Sequence, residues 1–415
     1  MTSALLLALT LSAGGPAIIE DDYAKALATA KAQKKLLFVD AWAPWCHTCV
    51  FMREHVLKDA AFQPFEKDLV FSAVDTEKTK SAPFLEKFPV SVWPTLFFID
   101  PATEKLVFKW IGSADAAEMK ALLQAARRAG DPKLAEADAF AAAGSDAEAA
   151  ERYLKVVKGG EGRATLSMLG SLYLARRYEP CAKTAAELGP GLSASADRLN
   201  AAVYGLGCAL ELDRRTPEHA KLVEQLVAEN REALKLPGTL ADDVSGAYEA
   251  LVTERESAKD AAGAVAVAKE WLAFLEAAAA KATTPAARAV FDPHRVSAAI
   301  ASKQVERVVQ PLELSEKELS DDYNPPARLA VVYRELGRLD DALAAADRAL
   351  AKCKEGPRKL RLYDTKAGIL EKKGDQAGRK KVLGEALAYA KALPKAQRPD
   401  GRVAALEAQL KAAKP

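Results

Sequence analysis

The stretch FVDAWAPWCHTCVFMREHVL, residues 38–57, sets Cys46 and Cys49 three positions apart between an apolar run and an amphipathic one. A pair so spaced has three kinds of chemistry open to it: metal ligation, a structural bridge, or reversible thiol–disulfide exchange. A structural zinc site takes about four ligands. The chain has no second close cysteine pair, His47 lies inside the turn, and His55 is more than two helical turns beyond Cys46, so no metal is expected. A static bridge across so small a loop removes little chain entropy, and chance proximity does not explain a pair placed at a strand-to-helix junction.

Exchange does explain that placement. Cys46 in the first turn of a helix has unpaired backbone N–H groups and the positive end of the helix dipole beside its sulfur, which favour the attacking thiolate. Cys49, one turn deeper on the same face, is near enough to attack a mixed disulfide at Cys46 and release the bound molecule reduced. His47 and Thr48 set the redox poise: a protonated imidazole beside the nucleophile stabilises its thiolate and makes the disulfide more oxidising. The alternative for His47 is a solvent-facing loop residue. His55, His219 and His294 have no identifiable partners and read as surface or packing residues.

The elements that must position this pair follow from the hydrophobic pattern. Asp21 to Gln33 reads as a helix, Leu36 to Ala41 as a strand closed by Trp42-Ala43-Pro44, and Cys46 opens the next helix. Strand Leu69 to Val74, helix Ala82 to Phe88, strand Thr95 to Ile99, strand Leu106 to Trp110 and helix Asp115 to Arg128 complete an α/β sandwich of four strands, a central mixed sheet with helices on both faces. Everything after Asp131 is helical and Ala-rich. Gly337 and Gly374 mark turns inside two helical hairpins 37 residues apart, with Leu329, Ala330, Tyr333, Ala342, Ala346 and Ala349 around the first and Ala367, Leu370, Leu383 and Ala386 around the second. That spacing of small and aromatic positions resembles the tetratricopeptide family, whose period is about 34 residues. Arg379 departs from it, standing where the family has a small residue. The resemblance implies an all-α hairpin solenoid with a groove for protein segments. The expected organisation is a signal peptide over 1–17, the α/β domain over 18–130 and the helical repeats over 131–415, divided at Gly130-Asp131-Pro132.

Composition narrows the partners. The 415 residues exceed one ordinary core, and half are hydrophobic. A net charge of +2 with 28% charged residues gives no electrostatic reason to expect nucleic acid or an anionic membrane. MTSALLLALTLSAGGPA carries an apolar core from Ala4 to Leu11 followed by small residues, the pattern of a secretory signal cut near Ala13 or Ala17, although no Lys or Arg precedes it. The alternative is a ragged hydrophobic N-terminus and a cytoplasmic protein. No later apolar run approaches the ~20 residues of a membrane span. Export would place the chain in the periplasm or outside the cell. There Cys181 and Cys208, in adjacent hairpins, either bridge or remain buried thiols, while Cys353 has no partner.

VDAWAPWCHTC, the element order and the downstream Trp93-Pro94-Thr95 together resemble the thioredoxin-fold family of thiol–disulfide oxidoreductases, in particular exported bacterial thioredoxin-like proteins. The likeness spans Glu20 to Arg128. It implies that Cys46 is an exposed nucleophile and Cys49 a buried resolving thiol. Asp40 falls where the family keeps a buried carboxylate that takes the resolving proton through water; the alternative is a strand-end Asp capping nearby amides. Trp45 resembles the aromatic covering the active-site surface, or else is plain packing. Pro94 matches the family's cis-proline, which would leave the Trp93 backbone free to pair with a substrate peptide; the alternative is a trans proline starting an edge strand. Val92 stands where the family often has Gly, Trp93 is bulkier than the usual neighbour, and LVFSAVD lacks the lysine of thioredoxins proper.

The function expected on this basis is reduction or isomerisation of protein disulfides, with the helical repeats recruiting a client. Electrons would come from an upstream thiol donor, with no cofactor beyond the Cys46–Cys49 disulfide itself. The alternative is a non-enzymatic scaffold in which the repeats bind partners and the thioredoxin-like domain docks.

Overall fold

In the N-terminal domain, LLFVDAW and LVFSAVD are runs of apolar and β-branched residues too short for helices, and both become central strands. The computed structural model describes residues 14–127, 134–157, 162–212 and 216–412, so the signal cleavage region up to Ala13 and the expected boundary at Gly130-Asp131-Pro132 lie outside the described residues. Strands β1 (Ile18–Glu20), β2 (Leu36–Trp42), β3 (Leu69–Asp75), β4 (Thr95–Asp100) and β5 (Lys105–Ile111) form one mixed sheet in the order β1-β3-β2-β4-β5. β3 is parallel to both β1 and β2, whereas β4 runs antiparallel to β2 and to β5. The sheet thus has one strand more than the expected four. Three residues are too few to display a period, and β1 is held by its ladder to Phe71–Ala73 of β3.

The period of two along β2 divides the core. Phe38 points to one face with Phe71, Phe98 and Phe108, under α2 (His47–His55) and α4 (Ala116–Arg127). Leu37 and Val39 point to the other with Val70 and Phe97, under α1 (Tyr23–Gln33) and α3 (Ala82–Lys87). Burying such residues contributes about 1.5–3 kcal/mol each, and this fixes the end of β2 from which the Cys46 loop departs.

The helical region follows as α5 (Ala135–Ala142), α6 (Asp146–Val156), α7 (Gly162–Leu174), α8 (Tyr178–Leu188), α9 (Ser195–Leu210), α10 (Pro217–Ala233), α11 (Ala241–Ser257) and α12 (Ala261–Ala280). It continues as α13 (Pro285–Ala289), α14 (Asp292–Ala301), α15 (Val309–Glu318), α16 (Asn324–Glu335), α17 (Leu339–Lys352), α18 (Lys359–Lys373), α19 (Gln376–Ala392) and α20 (Arg402–Ala412). Gly337 and Gly374 turn the α16–α17 and α18–α19 hairpins at φ +76° and +81°, a conformation open to glycine. The small and aromatic residues assigned to these two repeats are buried. Arg379 keeps its charge at the surface by reaching Glu371 at 3.5 Å. Cys181 and Cys208 are bridged between α8 and α9, and Cys353 is a buried free thiol.

The two regions share one core. Phe38, Phe98 and Phe108 belong to the same apolar cluster as Tyr153, Leu166 and Met168 of the first helical hairpins. From that root the later helices come back over the end of the sheet that carries the cysteines.

Candidate active site

Cys46 caps α2: its backbone is extended, and its Sγ accepts a hydrogen bond from the Cys49 N–H at 3.1 Å. The two sulfurs are joined in a disulfide with the Cα atoms 5.2 Å apart. Once that bond is reduced, the same N–H and the dipole of α2 act on a Cys46 thiolate, which is the arrangement that lowers a thiol pKa. The exposed nucleophile implied by the family resemblance is not what the structure has. Cys46 is 5% exposed and Cys49 fully covered, with Trp42, Trp45 and Trp93 packed around them.

Asp40 lies on β2, paired with Ala73 on one side and Leu96 on the other. Its carboxyl is 1% exposed and neither oxygen accepts a hydrogen bond, which removes the amide-capping alternative. The nearest cation, Arg53 Nη1, is 3.7 Å away and itself held over the Trp42 ring. Burial pushes the Asp40 carboxyl up to about 7, with Arg53 offsetting part of the rise. A carboxylate with that value takes or gives a proton near neutrality.

The Trp93–Pro94 peptide is cis, matching the family's proline. The Trp93 indole packs edge-on against Trp45 with centroids 5.1 Å apart and donates to Thr76 Oγ1 at 2.8 Å. Trp45 donates to Glu77 Oε1 at 2.6 Å. Glu77 is buried, and desolvation pushes it up to about 7 against the hydrogen bonds from the Arg358 backbone and Trp45. Sequence reasoning missed Glu77, because a Glu after a strand gives no hint of burial.

What covers the pair on its remaining sides comes from the helical region. His47 Nδ1 lies 2.6 Å from Asp242 Oδ1, Thr48 Oγ1 donates to Asp242 Oδ2 at 2.5 Å, and His294 Nε2 approaches Asp242 Oδ1 at 3.2 Å. The two imidazoles stack with centroids 4.0 Å apart. His47 therefore bonds to the helical region while its side chain stays 32% exposed, and His294, expected to be unpartnered, completes the cluster. Burial alone would lower His47, but Asp242 outweighs it and raises the imidazole. Burial would likewise raise Asp242, and the histidines reverse this, holding its carboxyl well below the usual range. The trio's donor atoms lie within 4.8 Å of one another, a set whose chemistry also suits a divalent cation.

Further contacts close the ring. Asn324 Nδ2 donates to the Pro44 carbonyl at 3.0 Å, the Arg358 N–H to Glu77 Oε2 at 2.7 Å, and Gln397 Nε2 to the carbonyls of Thr76 and Lys78, both at 2.8 Å. At Gly356 (φ +96°) an added Cβ would stand 2.2 Å from Glu77 Oε2, so only glycine permits this approach.

These features define a thioredoxin-like domain whose CxxC loop is enclosed by a helical-hairpin region of the same chain. Residues 18–101 match the family described as thioredoxin-like. A tetratricopeptide repeat protein from Parabacteroides merdae ATCC 43184, known from its crystal structure, aligns with 67% of this chain and 96% of its own at 9% identity and a TM-score of 0.42. No curated protein sequence matches the chain. Among the described residues no helix is long and apolar enough to cross a membrane.

Proposed function

We propose that the protein is a thiol–disulfide oxidoreductase working through Cys46 and Cys49, in which the helical region supplies part of the active site. The Cys46 thiolate attacks one sulfur of a substrate disulfide; a Cys46–substrate bond forms and the other half departs as thiolate. Cys49 yields its proton to Asp40 through water and attacks Cys46 Sγ. The Cys46–Cys49 bond forms, the second half of the substrate leaves as thiolate, and two electrons have passed from the dithiol to the substrate. An upstream thiol donor then reduces the pair, in the direction of a reductase or isomerase. The observation that carries this reading is the Cys46 sulfur at the head of α2, bonded to Cys49 and hydrogen-bonded by its N–H.

Export to the periplasm or beyond the cell belongs to the same proposal. The Cys181–Cys208 bridge supports it, since structural disulfides persist in oxidising compartments. The scaffold alternative is weakened by the way α11, α14, α16 and the loop before α18 are engaged with the chain's own CxxC domain. The test is substitution of each cysteine. Cys49→Ala should accumulate a mixed disulfide with substrate and Cys46→Ser should abolish disulfide reduction; turnover persisting in Cys46→Ser would refute the reading.

A further inference from the structure

Beside the active site lies a cavity of about 220 Å³ with the Trp45 indole on one wall. Its other walls come from the helical region and carry three guanidiniums, Arg328, Arg358 and Arg361, together with Tyr323. None of the three has a carboxylate within ion-pair distance among the described residues. Arg358 lies over the Trp45 ring at 4.8 Å, which satisfies it in part. Arg328 has no such partner, although burial disfavours its charge; Asp292 and Asp322 act on it only from a distance. Those carboxylates are engaged elsewhere, Asp292 with Arg295 and Ser315, Asp322 with Asn324. Glu77 is turned to Trp45 and the Arg358 N–H. The Tyr323 hydroxyl is buried without a hydrogen-bond partner. Buried cations and hydroxyls are ordinarily paired. Here the missing partner is an anion with acceptor oxygens.

Resting on the exchange activity proposed above, we infer that this cavity is the anion subsite of the substrate, receiving the carboxylate of a low-molecular-weight thiol or its disulfide whose sulfur is exchanged at Cys46. Two features set the size. The cavity is smaller than the ~300 Å³ at which pockets for drug-sized ligands begin. Cys46 is nearly covered, and the contacts through Asp242, Asn324 and Arg358 crowd a folded protein away from it. Trp45 joins the two parts of the site, its indole forming the cavity wall and its carbonyl leading directly to Cys46.

The experiment uses the full chain, reduced, with three oxidants: oxidised glutathione, which carries carboxylates; bis(2-hydroxyethyl) disulfide, which has no charge; and a folded protein with an exposed disulfide. The rate constant for oxidation of the Cys46–Cys49 dithiol is followed by tryptophan fluorescence. Glutathione should outpace the neutral disulfide by about tenfold at low salt, the worth of one charge-assisted hydrogen-bonded contact. The ratio of the two rates, which cancels any general loss of activity, should fall about tenfold in Arg328→Gln. In Arg361→Gln, which alters only an exposed rim position, it should fall about threefold. A ratio near one in the wild type, or one unmoved in both variants, overturns the inference while leaving the exchange activity in place. A protein disulfide reacting faster than glutathione also overturns it. If no oxidant forms the disulfide, the exchange activity itself is refuted.

Discussion

The Asp242 carboxylate ties the helical region to the CxxC loop, and replacing it with Asn should open the site. In Asp242→Asn, the bonds from His47 at 2.6 Å and His294 at 3.2 Å pass from a buried anion to a neutral amide oxygen, while the oxygen that accepts from Thr48 at 2.5 Å becomes an NH2 group, so that the Thr48 hydroxyl must turn round and accept. A bond to a charged group contributes about 1.5–3 kcal/mol and a neutral one about 0.5–1.5. The substitution therefore costs about 1 kcal/mol per bond, and roughly 2–3 kcal/mol in all once the longest is discounted. At 1.4 kcal/mol per factor of ten, the open fraction should rise about 30- to 150-fold. The assay is alkylation of Cys46 in the reduced protein by small iodoacetamide and by a bulky polymer-linked maleimide. A change in thiolate content moves both rates together, whereas opening accelerates the bulky reagent alone, so the ratio isolates the clasp. Its pH dependence follows from the two shifts. Raised His47 contributes fully below its ordinary value near 6.5 and is lost as pH climbs through the raised one; depressed Asp242 contributes above about 3.8. The clasp should be tightest between roughly pH 4 and 6.5 and loosen in alkali, with Glu249 adding to the His47 shift and Arg328 opposing it. A bulky-to-small ratio within threefold of wild type would refute the reasoning.

Asp40 gives a stability signature of the same kind: because its pKa is raised to about 7, it favours the fold below about pH 4 and this contribution is lost as pH rises through 7. Urea unfolding should show on the order of 2–4 kcal/mol less stability for wild type relative to Asp40→Asn at pH 8 than at pH 4, and parallel pH curves would contradict it. Cys208→Ser removes a bridge with a sequence separation of 27, and should destabilise the helical region by about 3–4 kcal/mol in denaturant melts under oxidising conditions; melts insensitive to the change would argue that the bridge does not form. Gly337→Ala and Gly356→Ala both place a side chain at positive φ, each costing about 1–2 kcal/mol. Only Gly356→Ala also strikes Glu77, so it alone should raise the bulky-to-small alkylation ratio at Cys46.

The α/β domain was legible because each central strand is a short, mostly apolar run and the CxxC loop is a local motif. Cys46 heads α2, Asp40 lies on β2 and the Trp93–Pro94 peptide is cis, as the local motif suggests, although Cys46 is covered and not exposed. The other half of the site was not legible. Asp242 is 195 residues from His47, and in its own neighbourhood it is an ordinary acidic residue in a first helical turn. Asp292 stands likewise in the first turn of the helix that carries His294. Acidic residues favour that position through the helix dipole alone, so a residue stabilising its own helix and one reaching another domain look identical in sequence. Arg358 and Gly356 sit in a loop whose composition signals a turn and nothing about what it faces.

The distribution of those hidden residues has a structural cause. In stacked antiparallel hairpins the first helices all begin at one edge, and the loops joining one hairpin to the next lie there too. Asp242, His294 and Asn324 occupy the first turns of α11, α14 and α16, and Gly356 and Arg358 precede α18. It is this edge that meets the CxxC loop, while the Gly337 and Gly374 turns lie at the other. The dipoles do not set the sign of the potential, because the second helices end at the same edge: α17, for example, finishes just before Cys353. Side chains must set it, and they do so locally. Around His47 a single carboxylate is shared by two imidazoles, which gives a tight but nearly neutral clasp. Around Trp45 three arginines gather with no carboxylate at ion-pair distance among the described residues, so the positive charge there is offset only from further off, by Asp292, Asp322 and Glu77. The first arrangement holds the two domains together and the second has a valence to spare, so substrate charge should be felt on the Trp45 side of Cys46 and domain closure on the His47 side.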